Sequence, residues 1–468
     1  MFKKLIPAGL WLAQLSIGGF TQGTTDVPED GIVLPSPEQA SYQEMELVGF
    51  IHFTVNTFTD KEWGYGDEDP ALFNPTELDA EQWVRVARDA GMQELILTAK
   101  HHDGFCLWPS AYTEHSVKNS PFRNGKGDVV REFTDACRKY GLKVGLYLSP
   151  WDRNHPAYGT SEYITYYRNQ LRELLTGYGT INEIWFDGAN GGDGYYGGAN
   201  EVRRIDRETY YDWPNTVKLV KELQPGIKIF SDAGPDIRWV GNEHGHAGET
   251  FWSTISGDRL VIGDSDPAYL NRGDPDGDRW IIGQCDVSIR PGWFYHAAED
   301  TMVKTPQQLT DIYYKSVGRN AVLLLNLPPD RRGLIHENDV ESLMGFRQII
   351  DETFEKDLAK GASLKLISEG EVPLEVQLEL SAPLLFDRIL LQEPIREGQR
   401  ISRFRVETEN ESGIWKEVAR GTTVGYKRLL RISPVTARRL RIVVDEALYP
   451  PSLKRVGLYQ ASSGEPSY

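Results

Sequence analysis

The chain has 468 residues, of which 40% are hydrophobic, enough for a large core and for two or three domains. Its formal net charge of -17 at pH 7 repels phosphate backbones, so nucleic acid is not an expected partner. Aromatic residues reach 11%, and although most aromatic side chains belong to cores, this content also suits a protein that stacks on sugar rings.

The chain begins with a segment typical of a secretory signal peptide. Lys3 and Lys4 precede an apolar run of mostly small residues at 5–20, which is shorter than a typical membrane span. We therefore expect residues 1–22 to be a signal peptide and the protein to be secreted or periplasmic. An uncleaved N-terminal anchor is the alternative. No later stretch is long and apolar enough for stable membrane insertion.

The three cysteines, Cys106, Cys137 and Cys285, are odd in number and widely spaced. Their spacing predicts neither a disulfide framework nor a metal finger. Cys106 and Cys137 lie within apolar patterns, so we expect them to be buried free thiols. The oligomeric state does not follow from the sequence.

Strand-like and helix-like segments alternate from residue 47 to residue 327. The predicted strands are 47–53, 95–99, 144–148, 184–187, 227–230, 280–283 and 322–327. The predicted helices are 79–90, 128–140, 161–175, 209–223, 305–317 and 337–354. This order predicts an α/β protein with a (β/α)₈-like, TIM-type barrel over residues 23–355, in preference to a doubly wound sheet.

The pattern changes after a linker at residues 356–361. Leu374, Val376 and Leu378 alternate with polar residues, and similar alternation recurs up to Val444. This predicts a C-terminal antiparallel β-sandwich over residues 360–468. Such a domain could bind carbohydrate or brace the barrel. Its strands carry no obvious aromatic cluster, which favours bracing.

The fourth predicted strand ends on a carboxylate. The apolar run 184–186 leads directly to Asp187, and Gly188 then turns the chain. The carboxyl ends of barrel strands form the mouth at which such folds do their chemistry, so Asp187 is a candidate catalytic residue. The alternative is that Asp187 caps the next turn or helix.

Other strand ends carry side chains that bind hydroxyl groups. His52 follows the first strand, His101 and His102 follow the second, and Tyr147 lies at the end of the third. The histidines could be metal ligands, buried structural residues or partners of a hydroxyl-rich ligand. Neighbouring residues of a strand point to opposite faces, so His101 and His102 cannot easily hold one ion, and we expect no metal.

Two further motifs are read as loops. Residues 192–197 match G-x-G-x-x-G, but Asp187 and Asp193 would repel a pyrophosphate, so a glycine-rich, mobile active-site loop is favoured over a nucleotide site. The acidic stretch 274–278 lacks the terminal Glu of a calcium loop and is interpreted as a solvated turn. We therefore expect no cofactor.

Glycoside hydrolysis requires two carboxyl groups. If Asp187 is one, the segment 234–243 offers Asp236 and Glu243 as the other. Asp236 follows a proline and is typical of a turn, whereas Glu243 lies near glycines after an aromatic-apolar run. The composition favours Glu243 without excluding Asp236.

Taken together, these residues resemble glycoside hydrolase family 29, the α-L-fucosidases. The similarity covers roughly residues 48–328. The motifs that carry it are GFIH at 49–52, EW at 62–63, KHHDGF at 100–105, WFDG at 185–188 and GW at 292–293. The run GPDIRWVGNE at 234–243 further resembles the branch that prefers α-1,3/1,4-linked fucose on branched glycans.

The resemblance implies a barrel followed by a β-sandwich and an exo-acting enzyme that releases terminal L-fucose with retention, without a cofactor. Asp187 would be the nucleophile and Glu243 the acid/base. The residues that the resemblance implies for fucose binding are His52, Glu62, Trp63, His101, His102, Tyr147, Arg238 and Trp293. The substrate would be a fucosylated oligosaccharide or glycoconjugate.

Several alternatives stay open. A broad-specificity α-L-fucosidase or another retaining glycosidase could use the same barrel. A fucose-binding protein without activity belongs to a different class, and the presence of both candidate carboxylates argues against it. A metal-dependent hydrolase is a further rival.

Overall fold

The structure, a computed structural model, describes residues 31–367 and 372–465. The predicted signal peptide, residues 1–22, lies outside this range. Parallel strands form a closed barrel in the order β1, β8, β7, β6, β5, β4, β3, β2. These strands are β1 (Leu47–Ile51), β2 (Glu94–Lys100), β3 (Lys143–Leu148), β4 (Glu183–Trp185), β5 (Lys228–Ser231), β6 (Ile237–Trp239), β7 (Ile282–Ser288) and β8 (Val322–Asn326). The predicted TIM-type barrel is confirmed.

Helices connect and flank these strands. They are α1 (Pro37–Gln43), α2 (Asn56–Thr59), α3 (Ala80–Asp89), α4 (Val129–Tyr140), α5 (Ser161–Gly177), α6 (Trp213–Leu223), α7 (Pro267–Arg272), α8 (Pro306–Lys315) and α9 (Glu337–Phe354). Asp79 and Asp128 begin α3 and α4 by accepting hydrogen bonds from the backbone N–H groups of Gln82 and Arg131. Gly141, at φ 79°, ends α4 in the left-handed conformation.

Most residues of the barrel strands are buried because one face packs inside the barrel and the other against the helices. Every residue of β1, β2, β7 and β8 is buried. Cys106, Cys137 and Cys285 are buried free thiols, which confirms the expectation for the first two.

Two barrel strands differ from their sequence predictions. Strand β6 was not predicted, because three residues with an arginine in the middle show no usable periodicity. The predicted strand 280–283 is divided: Arg279–Trp280 pairs antiparallel with Thr254–Ile255, whereas β7 starts at Ile282. The overlooked β6 carries the chain into the segment that contains Glu243.

The glycine-rich segment after Asp187 is not the active-site loop that the sequence suggested. Gly192–Gly194 and Glu201–Arg203 form a two-stranded antiparallel hairpin. Arg153 fixes the hairpin by donating to the backbone oxygen and side chain of Asp193 at 2.8 and 2.9 Å. A pocket opens at the mouth of the barrel, and its wall includes Gly188 and Ala189 but none of these hairpin residues.

The C-terminal domain is antiparallel, as predicted. Its strands are β9 (Ser363–Leu366), β10 (Leu374–Gln392), β11 (Ile401–Glu409), β12 (Trp415–Gly421), β13 (Arg428–Ala447) and β14 (Arg455–Tyr459). They pair in the order β9, β10, β13, β11, β12, with β14 also beside β10. Register shifts between Glu379 and Leu384 and between Phe386 and Arg388 interrupt the pairing of the two long strands, and such bulges bend a sheet.

The C-terminal domain contacts the barrel segment that follows Glu243. Gln399 accepts the backbone N–H of Ser253 at 2.9 Å and donates to the carbonyl of Phe251 at 2.8 Å. The hydroxyl of Thr423 accepts the N–H of Phe251 at 2.9 Å. These contacts fit the bracing role that the sequence favoured, because they fix the backbone after the candidate acid/base.

Candidate active site

A pocket of about 370 Å³ opens where barrel strands end. Side chains from several strand ends and from the loops after them form its wall, as in other TIM-type barrels. The wall includes Phe50, His52, Glu62, Trp63, His101, His102, Trp185, Asp187, Phe230, Asp232, Trp239, Glu243, Asp286 and Trp293. The rings of Trp185 and Phe230 stack with centroids 3.8 Å apart and give one part of this wall an apolar surface.

The structure brings most of the predicted site residues to this pocket. Asp187 and Glu243 both line it, together with six of the eight residues implied for sugar binding: His52, Glu62, Trp63, His101, His102 and Trp293. Tyr147 lies behind Asp187, and Arg238 lies elsewhere.

Asp187 is held by two hydrogen bonds. Strand β4 ends at Trp185, two residues earlier than predicted, so Asp187 belongs to the loop at the barrel rim. Its Oδ2 accepts the hydroxyl of Tyr147 at 3.1 Å, and its Oδ1 accepts the N–H of Ala189 at 2.7 Å. Burial, followed by the charge of Asp187, raises the pKa of Tyr147 well above its usual value, so the phenol stays a donor.

His102 faces Asp187 with its other edge fixed. Its Nε2 lies 3.9 Å from Asp187 Oδ2, and its Nδ1 lies 2.7 Å from Ser149 Oγ. Because Ser149 donates its proton to the carbonyl of Trp151 at 2.6 Å, it must accept from His102 Nδ1. Burial lowers the pKa of His102 to about 4, so the neutral ring presents an acceptor nitrogen towards the pocket.

His52 is oriented in the same way. Asn326 donates its amide protons to Ser288 Oγ and to the carbonyl of Trp293, at 2.9 and 2.8 Å. Its Oδ1 is therefore the acceptor for His52 Nδ1 at 2.9 Å, which leaves Nε2 as an acceptor. Burial lowers the pKa of His52 to about 4 and that of His101 well below its usual value. Three neutral imidazoles thus line one side of the pocket.

Glu243 is the candidate acid/base that lines the pocket. Its Oε2 accepts the indole N–H of Trp293 at 3.2 Å. Burial, and then the charge of Asp187, raises the pKa of Glu243, while the bond from Trp293 opposes the shift. A carboxyl whose pKa is raised can hold a proton closer to neutral pH, as a general acid requires.

Asp236, the alternative candidate for the second carboxyl, has a structural role. Its Oδ2 accepts the backbone N–H of Ile229 at 2.8 Å and pairs with Lys221 Nζ at 2.7 Å. It joins β5 to α6 and is not part of the pocket wall. The geometry therefore favours Glu243 over Asp236 as the second carboxyl.

Arg238 does not contact the pocket, contrary to the role implied by the family resemblance. Its side chain is fully buried and donates to the backbone carbonyls of Trp252, Leu270 and Ile281. These bonds tie β6 to the segment that leads to β7. Because carbonyl oxygens on several sides satisfy the guanidinium, it serves packing rather than ligand binding.

Three acidic residues of the wall, Asp232, Asp264 and Asp286, were missed by sequence reasoning. Asp286, on β7, is buried and accepts the indole N–H of Trp239 at 2.9 Å. Burial and then Glu243 raise its pKa well above the usual value. Asp232, two residues after Phe230, accepts the N–H of Gly263 at 2.7 Å, and burial raises its pKa to about 6. Asp232 lies two residues after the predicted strand 227–230, which was an available signal, whereas Asp286 lies three residues beyond the predicted strand 280–283.

No set of three or more His, Cys, Asp and Glu side chains within residues 31–367 and 372–465 is arranged to bind a metal ion. In the same ranges, no helix has both the length and the apolar character needed to cross a membrane.

The sequence is similar to a known protein family and to known proteins over most of its length. The alpha-L-fucosidase family model matches residues 36–349. Alpha-L-fucosidase 1 of Arabidopsis thaliana is 46% identical over 456 residues, which cover 91% of this chain and 87% of the plant protein.

Solved structures give the same assignment. A glycoside hydrolase 29 family member from an unknown rumen bacterium has a TM-score of 0.88 and 50% identity, covering 92% of this chain and 78% of its own. A GH29 fucosidase of Ruminococcus gnavus in complex with fucose has a TM-score of 0.83 and 33% identity, covering 95% and 98%. The chain therefore belongs to the alpha-L-fucosidase family, glycoside hydrolase family 29, and is a glycoside hydrolase with α-L-fucosidase activity.

Proposed function

We propose that this enzyme is an exo-acting, retaining α-L-fucosidase that removes terminal α-1,3/1,4-linked L-fucose from branched oligosaccharides or glycoconjugates. The observation that carries the mechanism is the pair of carboxyls in one pocket. Asp187 is held by two hydrogen-bond donors, whereas the pKa of Glu243 is raised. Two carboxyls in different environments are what a division between nucleophile and acid requires.

In the first step, Asp187 attacks the anomeric carbon and the bond to the leaving oxygen breaks. Glu243 gives its proton to that oxygen, so the leaving saccharide departs as a neutral alcohol. Tyr147 keeps the nucleophile oriented through its hydroxyl. The product of this step is a covalent fucosyl-enzyme and a deprotonated Glu243.

In the second step, Glu243 takes a proton from water as the water attacks the anomeric carbon. Fucose leaves with its original configuration, and Asp187 returns to the carboxylate form. Retaining enzymes hold the two carboxyls about 5 Å apart, close enough for one residue to serve both steps.

The sugar-binding roles follow from the pocket wall. His52 and His102 each direct an acceptor nitrogen away from their buried partner, which suits hydroxyl protons of fucose. Trp293 offers an indole face for the apolar side of the sugar. Glu62 and Trp63 complete this part of the wall.

The linkage preference is supported by the segment 234–243. It resembles the α-1,3/1,4-specific branch of the family, and it contributes both Trp239 and Glu243 to the wall. The side chain that protonates the leaving oxygen lies beside the leaving saccharide. The segment 234–243 is therefore suited to recognise the sugars of the branched glycan to which the fucose is attached.

The sequence of residues 3–20 supports export. A basic start followed by a short apolar run is typical of a signal peptide, and we propose that the enzyme acts outside the cytoplasm, secreted or periplasmic.

The test is fucose release from two substrates, a Lewis-type trisaccharide and a simple aryl α-L-fucoside, with product configuration followed by NMR. Rapid release from the trisaccharide and little from the aryl fucoside, with α-fucose formed first, is the expected result. Strong activity on both would overturn the narrow specificity, and initial β-fucose would overturn retention. No release from either by folded protein would contradict the fucosidase activity itself.

A further inference from the structure

Residues 292–294, named here the Trp293 loop, are held by the carboxylate of Glu62. Glu62 Oε2 accepts the backbone N–H of Trp293 at 2.8 Å, and Oε1 accepts that of Phe294 at 3.1 Å. The approach is close at Gly292, where an added Cβ would lie 2.5 Å from Glu62 Oε1. The place of Glu62 therefore fixes the place of the loop.

Glu62 is itself fixed by a histidine outside the pocket wall. His296 Nε2 lies 2.7 Å from Glu62 Oε1, and His296 Nδ1 lies 2.8 Å from Asp60 Oδ1. A neutral imidazole has one N–H and can donate to only one of these carboxylates. An imidazolium donates to both, so the geometry fits a positively charged ring between two negative groups.

Charged groups of both signs lie near His296. Arg290 Nη1 donates to the backbone carbonyl of His296 at 3.5 Å, and the acidic groups come from two loops. The acidic groups are Asp60, Glu62 and Glu299, and Glu299 also accepts the N–H of Gly292 at 3.1 Å. Burial lowers the pKa of His296, but the hydrogen bonds to Asp60 and Glu62 outweigh it and raise the pKa above the usual value. The positive charge is complete at low pH and is lost as the pH rises through this raised pKa.

The Trp293 loop connects this charged group to the site. The indole N–H of Trp293 donates to Glu243 at 3.2 Å. The carbonyl of Trp293 accepts from Asn326, which in turn accepts from His52. A shift of the loop would therefore move the donor to Glu243 and the orientation of His52 together.

We propose that His296, bridging Asp60 and Glu62, is a positioning residue that holds the Trp293 loop against Glu243 and thereby keeps the active site assembled. The inference rests on the proposed acid/base role of Glu243 and assigns a role to His296 and Asp60, which have none in the mechanism above. Neither His296 nor Asp60 is part of the pocket wall.

The substrate for the test is α-L-fucosyl fluoride. Fluoride leaves without help from a general acid, so the loss of the proton from Glu243 does not limit kcat/KM for this compound. The pH dependence of kcat/KM on the alkaline side then reports His296 rather than Glu243.

The variants are His296→Gln, His296→Arg and Asp60→Asn. Gln keeps one donor without charge, and Arg keeps the charge at every pH tested. Asn tolerates the left-handed backbone of position 60, at φ 60°, while removing the negative charge. The control is His336→Gln, because His336 Nε2 also lies between two carboxylates, at 3.7 and 3.8 Å, whereas its ring stacks on Tyr295, which follows the Trp293 loop.

We expect His296→Gln to lower kcat/KM about tenfold at pH 6, with a larger effect on kcat than on KM, because a misplaced loop disturbs the transition state. Asp60→Asn should move the alkaline fall to lower pH, and His296→Arg should remove it. His336→Gln should match the wild type within about twofold.

The proposal is overturned if His296→Gln retains the wild-type value and pH profile, or if the alkaline fall persists in His296→Arg. Should the His296 variants fail to fold, Asp60→Asn decides alone, since an unchanged alkaline fall in that variant contradicts the proposal. Failure of the acid/base assignment looks different: Glu243→Gln would then hydrolyse an unactivated trisaccharide at the wild-type rate.

Discussion

Acidic side chains are buried at both ends of the barrel, but the two sets differ in their surroundings. Near the opposite end, Glu94 and Glu183 begin β2 and β4 and are fully buried. Glu94 accepts from Asn182 at 2.5 Å, and Glu183 accepts from Gln284 at 3.3 Å. Burial is the main cause that raises the pKa of both, as it is for Glu243 and Asp286 at the mouth.

The comparison separates a raised pKa from a functional role. Desolvation acts on any carboxyl inside the barrel and does not distinguish a catalytic acid from a structural one. What distinguishes the mouth is access: Asp187 and Glu243 line an open cavity, together with the imidazoles and indoles that we propose for sugar binding. The opposite end is enclosed by α1, where Tyr42 accepts from Gln284 at 2.5 Å.

The largest effect is expected from Asp187→Ala. Without the nucleophile, the covalent intermediate cannot form, and kcat for an aryl fucoside should fall by about 10⁴-fold or more. Steady-state assays of the folded variant measure this loss. Near-normal turnover would contradict the assignment of Asp187 as the nucleophile. It would also weaken the distinction between catalytic carboxyls at the mouth and structural carboxyls at the opposite end.

Glu243→Ala should cost about 10²- to 10⁴-fold on substrates with poor leaving groups, because general acid catalysis is lost. With an activated aryl fucoside, azide should restore turnover and yield α-fucosyl azide, since the anion attacks from the side that the acid/base has vacated. Product analysis by NMR measures this, and a lack of rescue would argue for another acid, with Asp286 the first candidate.

Tyr147→Phe should have an intermediate effect. The phenol donates to Asp187 at 3.1 Å, and a hydrogen bond to a charged group is worth about 1.5 to 3 kcal/mol. We expect kcat/KM to fall by about 10- to 100-fold while thermal stability changes little. An unchanged kcat/KM would show that Ala189 and the loop backbone alone position the nucleophile.

The smallest effect on activity is expected from Glu94→Gln, a change near the opposite end of the barrel. Burial raises the pKa of Glu94 to about 7, so between its unfolded value and pH 7 the native protein binds a proton that unfolding releases. Wild-type stability should therefore fall as the pH rises through this window.

The neutral Gln variant should lose less stability over the same window, whereas the two proteins should respond alike below about pH 4, near the unfolded carboxyl value. Denaturant unfolding between pH 4 and 8 measures the difference, with kcat as the control, expected within about twofold. A large fall in kcat would mean that the two ends of the barrel are coupled. The hydrogen bond from the indole N–H of Trp185 to Gln284, at 2.8 Å, could carry such coupling.

Much of the fold was accessible from the sequence because its signals are local. Apolar runs of four to seven residues predicted most barrel strands, and helical spacing of apolar residues predicted α3 and α4. The prediction failed where an element is short or its partner distant. Strand β6 has three residues and is recognisable only because β5 and β7 pair with it.

The residues of the candidate site likewise fall into those that the sequence located and those that it misplaced. The sequence and its family resemblance located Asp187, Glu243 and the three histidines, since these stand at strand ends or in short motifs. They misplaced Arg238, because one residue in a three-residue strand can face either the pocket or the packing around it. Its burial among backbone carbonyls shows the second orientation.

By itself, the sequence determined the alternation that closes a barrel, the antiparallel domain after it and the residues at the strand ends. Only the tertiary structure decided which of many acidic residues share a pocket, that Asp236 belongs to α6 and β5, and that Glu62 is held by His296 across more than two hundred positions of chain. The physical reason is that composition and periodicity report local burial, whereas the protonation state and role of a side chain depend on neighbours brought together from distant segments.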